Sequence, residues 1–240
     1  RMVLSRTYRL ASDAPEALSL ADPANRLWGR QNRWRLPAEM LRDQALAAAG
    51  LLDRRIGGHS IRPYQPAGYY RLMAFPPRTY VSDVGPDQYR RGVYIHWQRS
   101  FLHPFLLALD APNREESVVR RLISNTPNGA LTLMNDPTFV EAARVFAAGL
   151  VSLPEGGDFE RLDQAFRRTL ARGAESHESR ALLELLQHHR SLFASDPKSV
   201  AALMGMGQMP PPSAEVGAEV AAWTSVTRAL LNLDETLVRP

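Results

Sequence analysis

Residues 126–151 read TPNGALTLMNDPTFVEAARVFAAGLV, and the same device occurs twice in them. Thr126 can accept a hydrogen bond from the open first turn of a helix, and Pro127 suits a first helical position because its missing N–H would be unpaired there anyway. Ten residues on, Asp136 and Pro137 repeat the pattern, so the stretch is predicted to form two linked helices, the second running through TFVEAARVFAAGLVS. Working downstream, Asp158 opens FERLDQAFRRTLARG, Ser176 opens HESRALLELLQHHRSLFA, Asp196–Pro197 opens KSVAALMG, and Ser213 opens AEVGAEVAAWTSVTRALLNLDE. These predict a C-terminal helical bundle broken by Pro210 to Pro212.

Upstream, RLPAEMLRDQALAAAG predicts a helix from Leu36 to Ala49, with Pro37 near its first turn and Gly50 as its stop. The following segment, to about Pro86, carries Gly57, Gly58, Pro63, Pro66 and Gly68 among several tyrosines, and reads as a long loop. Loops of that length within a compact domain are often functional or covered by a partner. In YRRGVYIHWQRSF, residues 89–101, Val93, Ile95 and Trp97 alternate as in a strand, whereas Tyr89, Val93, Trp97 and Phe101 recur every four residues; the helical reading is taken. Met2, Val3, Leu4 and Tyr8 look like a helix already under way. The expected fold is therefore mainly α: an irregular helical domain with a long Gly/Pro/Tyr-rich loop and a C-terminal helical bundle. Residues 1–240 are read as one domain, a fragment of a longer chain, with a loop-rich half over 1–152 and a bundle half over 153–240.

A chain of 240 residues with 45% apolar content can bury a sizeable core. Even its best apolar stretch, Val140 to Leu153, falls short of the ~18 uninterrupted residues that a membrane span needs, so no transmembrane segment is expected in this piece. The absence of cysteine excludes disulfides, thiolate metal sites and a thiol nucleophile within it. Of 29 basic residues 28 are arginine, Lys198 being the exception. That bias follows from an arginine-favouring genome or from recognition of anions by the planar guanidinium fork. The basic residues are interspersed with 25 acids and form no block, which argues against nucleic acid as a partner.

The densest charge lies in DAPNREESVVRRLISNTP, residues 110–127. Read as a helix from about Asn113, it sets Arg114 and Arg121 on one face around Val118 and pairs Glu116 with Arg120 on another. Apolar runs on both sides predict that at least one arginine is partly buried, received by carbonyls or by Asp110, Glu115 or Glu141. Such charges can simply satisfy one another inside a loop-rich core. Together with Arg91, Trp97, Arg99 and His103 they also define a candidate polar centre for an anionic or hydroxyl-rich ligand: Arg91, Trp97, Arg99, His103, Asp110, Arg114, Glu115, Arg120, Arg121 and Glu141. Asp110 with Glu115 or Glu141 would be the acid/base pair of an enzymatic version. No metal or other cofactor is expected in this piece: the histidines lack metal-ligand spacing, the Gly57–Gly58 turn lacks a phosphate-binding pattern, Ser60, Ser100 and Ser117 sit in no nucleophile elbow, and MGMGQM (204–209) reads as flexible packing.

Four ordered motifs, RLPAEMLRDQALAAAGLLDRRIGG, YRRGVYIHWQRSFLHP, DAPNREESVVRRLISNTPNGALTLMNDPTFVEAAR and AWTSVTRALLNLDE, resemble a planctomycete-type C-terminal domain of unknown function. The resemblance runs from VLSRTYR to LLNLDE. It implies an exported protein, one often joined to cytochrome-c-like domains and associated with polysaccharide or sulfated-glycan use, in the periplasm, cell envelope or extracellular space. It assigns no catalytic residue. Members commonly carry Cys where this chain has Ser117, and Gln where it has Asn128 or Gly129, which argues here against chemistry needing that thiol. The function expected is a non-catalytic module that docks to upstream domains of the same protein or binds an envelope or extracellular glycan. The alternative is a glycan hydrolase or lyase.

Overall fold

The computed structural model describes residues 1–72, 79–99, 101–154 and 156–239. Ten α-helices and one two-residue strand pair occur among them, so the chain is mainly α. In order these are α1 (Glu16–Ala21), β1 (Trp34–Arg35), α2 (Ala38–Ala48), α3 (Pro104–Ala108), α4 (Pro127–Asn135), α5 (Pro137–Val151), α6 (Asp158–Leu170), α7 (Ser176–Ser195), α8 (Pro197–Met204), α9 (Ala214–Leu231), α10 (Asp234–Leu237) and β2 (Val238–Arg239). The three predicted caps that precede a proline form, whereas Ser213 makes no side-chain cap bond, Asp158 is already helical, and Glu175 rather than Ser176 caps α7. Thr126 Oγ1 accepts from Gly129 N–H at 3.1 Å, Asp136 from Thr138 N–H at 2.9 Å, and Asp196 from Ser199 N–H at 3.1 Å, each ahead of a proline at the first helical position.

The core forms where α5 lies against α9, and α7 packs on the other side of α9. Alanines 142, 143 and 147 of α5 are fully buried, and the small side chains let the two helices approach closely enough for Thr227 Oγ1 to donate to Ala143 O at 2.9 Å. Trp223, Val220 and Leu230 of α9 fill the space with Phe139, Phe146 and Leu150. Helix α2 extends this core through Leu41, Ala45 and Leu46, so a continuous apolar cluster runs from Ala38 to Leu231 across both the loop-rich part and the bundle. β1, just ahead of α2, pairs antiparallel with β2, Trp34 opposite Arg239 and Arg35 opposite Val238.

Three expected helices do not form. Residues 2–8 give only a 3-10 turn, Met2–Leu4, followed by further turns. Residues 85–94 form two 3-10 turns, Gly85–Tyr89 and Gly92–Tyr94, in place of a helix over 89–101. The cause is tertiary: a Cβ on Gly92 would stand 2.6 Å from the Glu39 carbonyl oxygen, so the backbone lies directly against the start of α2. From there the chain pairs with the long loop, His96 N–H donating to Ile61 O and Ile61 N–H to Tyr94 O. Val93, a member of the helical pattern, points to solvent.

The third is the charged stretch from Asn113. It is irregular from 112 to 126, and Asp110 and Arg114 take left-handed φ values of 62° and 66°. Asp110 closes this strap on itself by accepting from Ser124 N–H at 2.8 Å and Ser124 Oγ at 2.7 Å. Trp97 Nε1 donates to Pro112 O at 3.2 Å and fixes its near end. Ser100 and residues 73–78 of the long loop lie outside the described residues.

Candidate functional site

Pro37 ends β1 and begins α2, which brings Trp34, Leu36, Glu39 and Met40 to one wall of a surface groove. The close approach at Gly92 sets Val93 at its end, Leu109 and Asp110 form the floor beyond α3, and residues 120–123 of the strap make the opposite wall. The groove measures about 550 Å³, and its lining is predominantly apolar. Leu122 is 80% exposed, Val93 74%, and Trp34 and Met40 about half.

Charge on the rim is mostly paired within the chain. Arg121 grips Glu39 with both terminal nitrogens, at 2.8 and 3.1 Å, tying the strap to the first turn of α2. Arg35 Nη1 stands 3.4 Å from the Asp110 carboxylate that also holds Ser124. Arg120 lines the same groove with no hydrogen bond or ion pair among the described residues.

The ten residues of the expected polar centre thus separate. Asp110, Arg120 and Arg121 line the groove. Arg114 stacks over the Trp97 ring at 4.0 Å, Glu115 accepts from Asn113 Nδ2 in solvent, and Arg99 is exposed. Arg91 is half-buried beside Asp43. His103 and Glu141 belong to the interior. Arg114, Arg120 and Arg121 are all exposed, so the expectation that one of them is partly buried against Asp110, Glu115 or Glu141 is corrected; the acid that receives Arg121 is Glu39. Among the described residues the buried guanidiniums are Arg42, Arg90 and Arg144, and backbone carbonyls receive them: Gln88 O and Arg90 O for Arg42, Gly57 O and His59 O for Arg90, Met209 O and Pro210 O for Arg144. Carbonyls in loops that have left regular structure need donors, and an arginine supplies several at once. Burial pushes the Arg42 guanidinium down to about 10 while nearby Asp43 and Asp136 hold it up, so it stays charged at neutral pH.

Glu141, 1% exposed, is a buried acceptor hub. Its carboxylate takes hydrogen bonds from Tyr64 Oη (2.9 Å), Tyr89 Oη (2.8 Å), Gln208 N–H (2.6 Å) and Met209 N–H (2.7 Å). Burial and the adjacent carboxylate push both phenols well above the ordinary tyrosine range. The hub therefore fastens the long loop, the 85–89 turn and the 205–210 turn to α5.

His103 caps α3. Its Nδ1 accepts from Phe105 N–H, which leaves Nε2–H to donate to Tyr64 O at 2.8 Å. Burial lowers its pKa to about 4, helped by the Arg42 charge and opposed by the Tyr64 carbonyl. The unfolded chain therefore binds a proton near pH 6.5 that the native chain refuses, and stability falls as pH drops from there toward 4. The stability advantage of the chain over its His103→Gln variant is expected to shrink by about 3 kcal/mol between pH 7 and pH 4, read by urea unfolding at each pH. An advantage independent of pH would mean that the imidazole is not held neutral.

No group of three or more histidine, aspartate and glutamate side chains is placed to hold a metal ion among the described residues. No helix among them is long and apolar enough to cross a membrane. Residues 1–186 match the family described as Protein of unknown function (DUF1553), PSD1. The chain belongs to the PSD1 family. Every residue lining the groove, and Glu141 and His103, fall inside the matched region of PSD1; α8, α9 and the 205–210 turn held by Glu141 lie beyond it, as does the motif AWTSVTRALLNLDE. No curated protein and no solved structure matches the chain. Within this PSD1 chain only Asp110, Arg120 and Arg121 of the groove's lining were in the sequence-based site; Trp34, Arg35, Glu39, Met40, Val93, Leu122 and Ile123 are among the lining residues it missed. Arg121 and Glu39 are 82 positions apart, and no local pattern marks such a pair. The apolar residues of the strap were legible only as spacers between charges.

Proposed function

We propose that this chain is a non-catalytic docking module of an exported multidomain protein, and that the groove between the start of α2 and the strap seats a partner polypeptide. The observation that carries this reading is the run of solvent-exposed apolar side chains along both walls, Trp34, Met40, Val93 and Leu122. Burying one such side chain is worth about 1.5–3 kcal/mol, and an exposed cluster of them rimmed by charge is characteristic of an interaction surface. The strap and α2 are already joined by Arg121 and Glu39, so a partner meets a preformed wall.

The enzymatic alternative has less support. Of Asp110, Glu115 and Glu141 only Asp110 lines the groove, and it is committed to Ser124 and Arg35. A glycan-binding site has less support too, since Arg35 and Arg121 already have carboxylate partners and most of the walls offer no polar group. The neighbours implied are further domains of the same polypeptide outside the cell, cytochrome-c-like domains among them; that part rests on the resemblance of the four motifs to a planctomycete-type domain.

The test is selection of displayed protein fragments from the source genome on the intact chain, with Leu122→Asp and Met40→Asp chains as counter-baits and sulfated and neutral glycans assayed in parallel. Both side chains are exposed, so the variants are expected to fold with stability changes within about 0.5 kcal/mol. Fragments enriched on the wild-type chain should lose at least ~10-fold in affinity on either variant, the size expected for a buried apolar anchor. Fragments indifferent to both substitutions, or glycan retention that survives them, would refute the reading.

A further inference from the structure

We infer that the groove's occupant is an extended segment of polypeptide carrying a carboxylate side chain, which pairs its backbone with residues 121–123 of the strap and its acid with Arg120. This rests on the docking reading and adds the conformation and charge of the ligand. From Glu116 to Ile123 the backbone forms no hydrogen bond with any group among the described residues, although the strap is held at both ends, Glu115 N–H on the Asn113 side chain and Ser124 N–H on Asp110. Residues 121–126 run without a bend or turn. A stretch with unpaired donors and acceptors beside an apolar groove is a template for an added strand, because the ligand's amides then satisfy the strap's and its side chains alternate into the groove. A helical ligand satisfies its own backbone and would leave these groups to water.

Charge supplies the second constraint. Among the charged residues on the groove, Arg121 and Arg35 have their acids in Glu39 and Asp110, and Arg120 has none. The surface is therefore one positive charge in excess at a fixed place, next to Leu122. An acid flanked by apolar residues complements it. A basic segment is repelled there, and a purely apolar one leaves the cation to be desolvated without a partner.

The experiment uses random displayed peptides of about twelve residues, long enough to span the strap at ~3.3 Å per residue, selected on the intact chain and then resynthesised. Expected are peptides sharing an acid between apolar positions and requiring Leu122. Arg120→Glu should weaken them about 10-fold, replacement of the peptide's acid by Lys should restore binding to that variant, and hydrogen exchange should slow in the complex at alternate amides of residues 121–123, those of Arg121 and Ile123 or that of Leu122. Leu122-dependent peptides that lack an acid, ignore Arg120→Glu or leave those amides exchanging as before would overturn this inference and leave the docking reading standing. So would selection of folded fragments but no peptide, or Leu122-dependent self-association, which would make a second copy the occupant. Absence of any Leu122-dependent ligand, peptide or fragment, removes both.

Discussion

Replacing Glu141 by alanine is expected to destabilise the chain by about 3–5 kcal/mol, the range for breaking a buried charged hydrogen-bonded group. Four donors converge on this carboxylate, two phenols and two backbone amides, and alanine leaves them buried with nothing to receive them. It also leaves the buried Arg144 guanidinium, one turn along α5, without the anion that offsets its desolvation. Glu141→Gln separates hydrogen bonding from charge. Its carbonyl can occupy the place of Oε1, which takes three of the four bonds, and the Tyr64 hydroxyl can turn to accept from the amide, so a loss nearer 1–2 kcal/mol is expected. Urea unfolding followed by the fluorescence of buried Trp223 reads both. A Glu141→Ala chain within about 1 kcal/mol of wild type would mean that the loops are held by other contacts.

Gly207→Ala is the second large effect, and it is coupled to the first. Gly207 has φ of 84°, a left-handed conformation that costs an L-residue roughly 1–2 kcal/mol, and a Cβ there would stand 2.0 Å from Cδ of Glu141. One of the two must move, and moving Glu141 loosens its four bonds, so the variant should lose at least ~3 kcal/mol. In a Glu141→Ala background only the backbone contribution remains, and the same substitution should cost about 1–2 kcal/mol. Additive losses in the double variant would show that glycine serves the turn alone and not the hub.

What could be read from the sequence was whatever is decided within a few residues. Thr126–Pro127, Asp136–Pro137 and Asp196–Pro197 carry their caps and first-turn prolines in adjacent positions, and each begins a helix where expected. The helix predicted from Leu36 to Ala49 is observed from Ala38 to Ala48. The strap misled because Asn113, the glutamates and the arginines make a good local imitation of a helix start, while its course is set by Asp110 closing on Ser124 and by Trp97 holding Pro112. Val118, Val119 and Ile123 add little helical preference to resist that closure. The site divides in the same manner. Asp110, Arg120 and Arg121 were identifiable from the density of charge, but Glu39 and Met40 were simply members of the helix predicted over 36–49, with nothing to connect them to the strap. Glu141 was read as an acid that could receive an arginine of the strap; its donors are instead Tyr64, Tyr89 and the amides of Gln208 and Met209, which only tertiary contacts bring to it.

The chain shows a division of labour. Buried arginines, Glu141 and His103 satisfy the backbone of irregular segments in the interior, while Arg121–Glu39, Asp110–Ser124 and Trp97–Pro112 place the strap beside α2 and leave a groove whose walls are mainly apolar and open to water. Oxidative footprinting of the saturated complex with a selected partner fragment examines that groove without any substitution. Met40 and Trp34 should become several-fold less reactive toward hydroxyl radical, since each is now about half exposed, while Met2, 85% exposed and outside the groove, keeps its reactivity. Unchanged oxidation of Met40 and Trp34 in that complex would contradict the account.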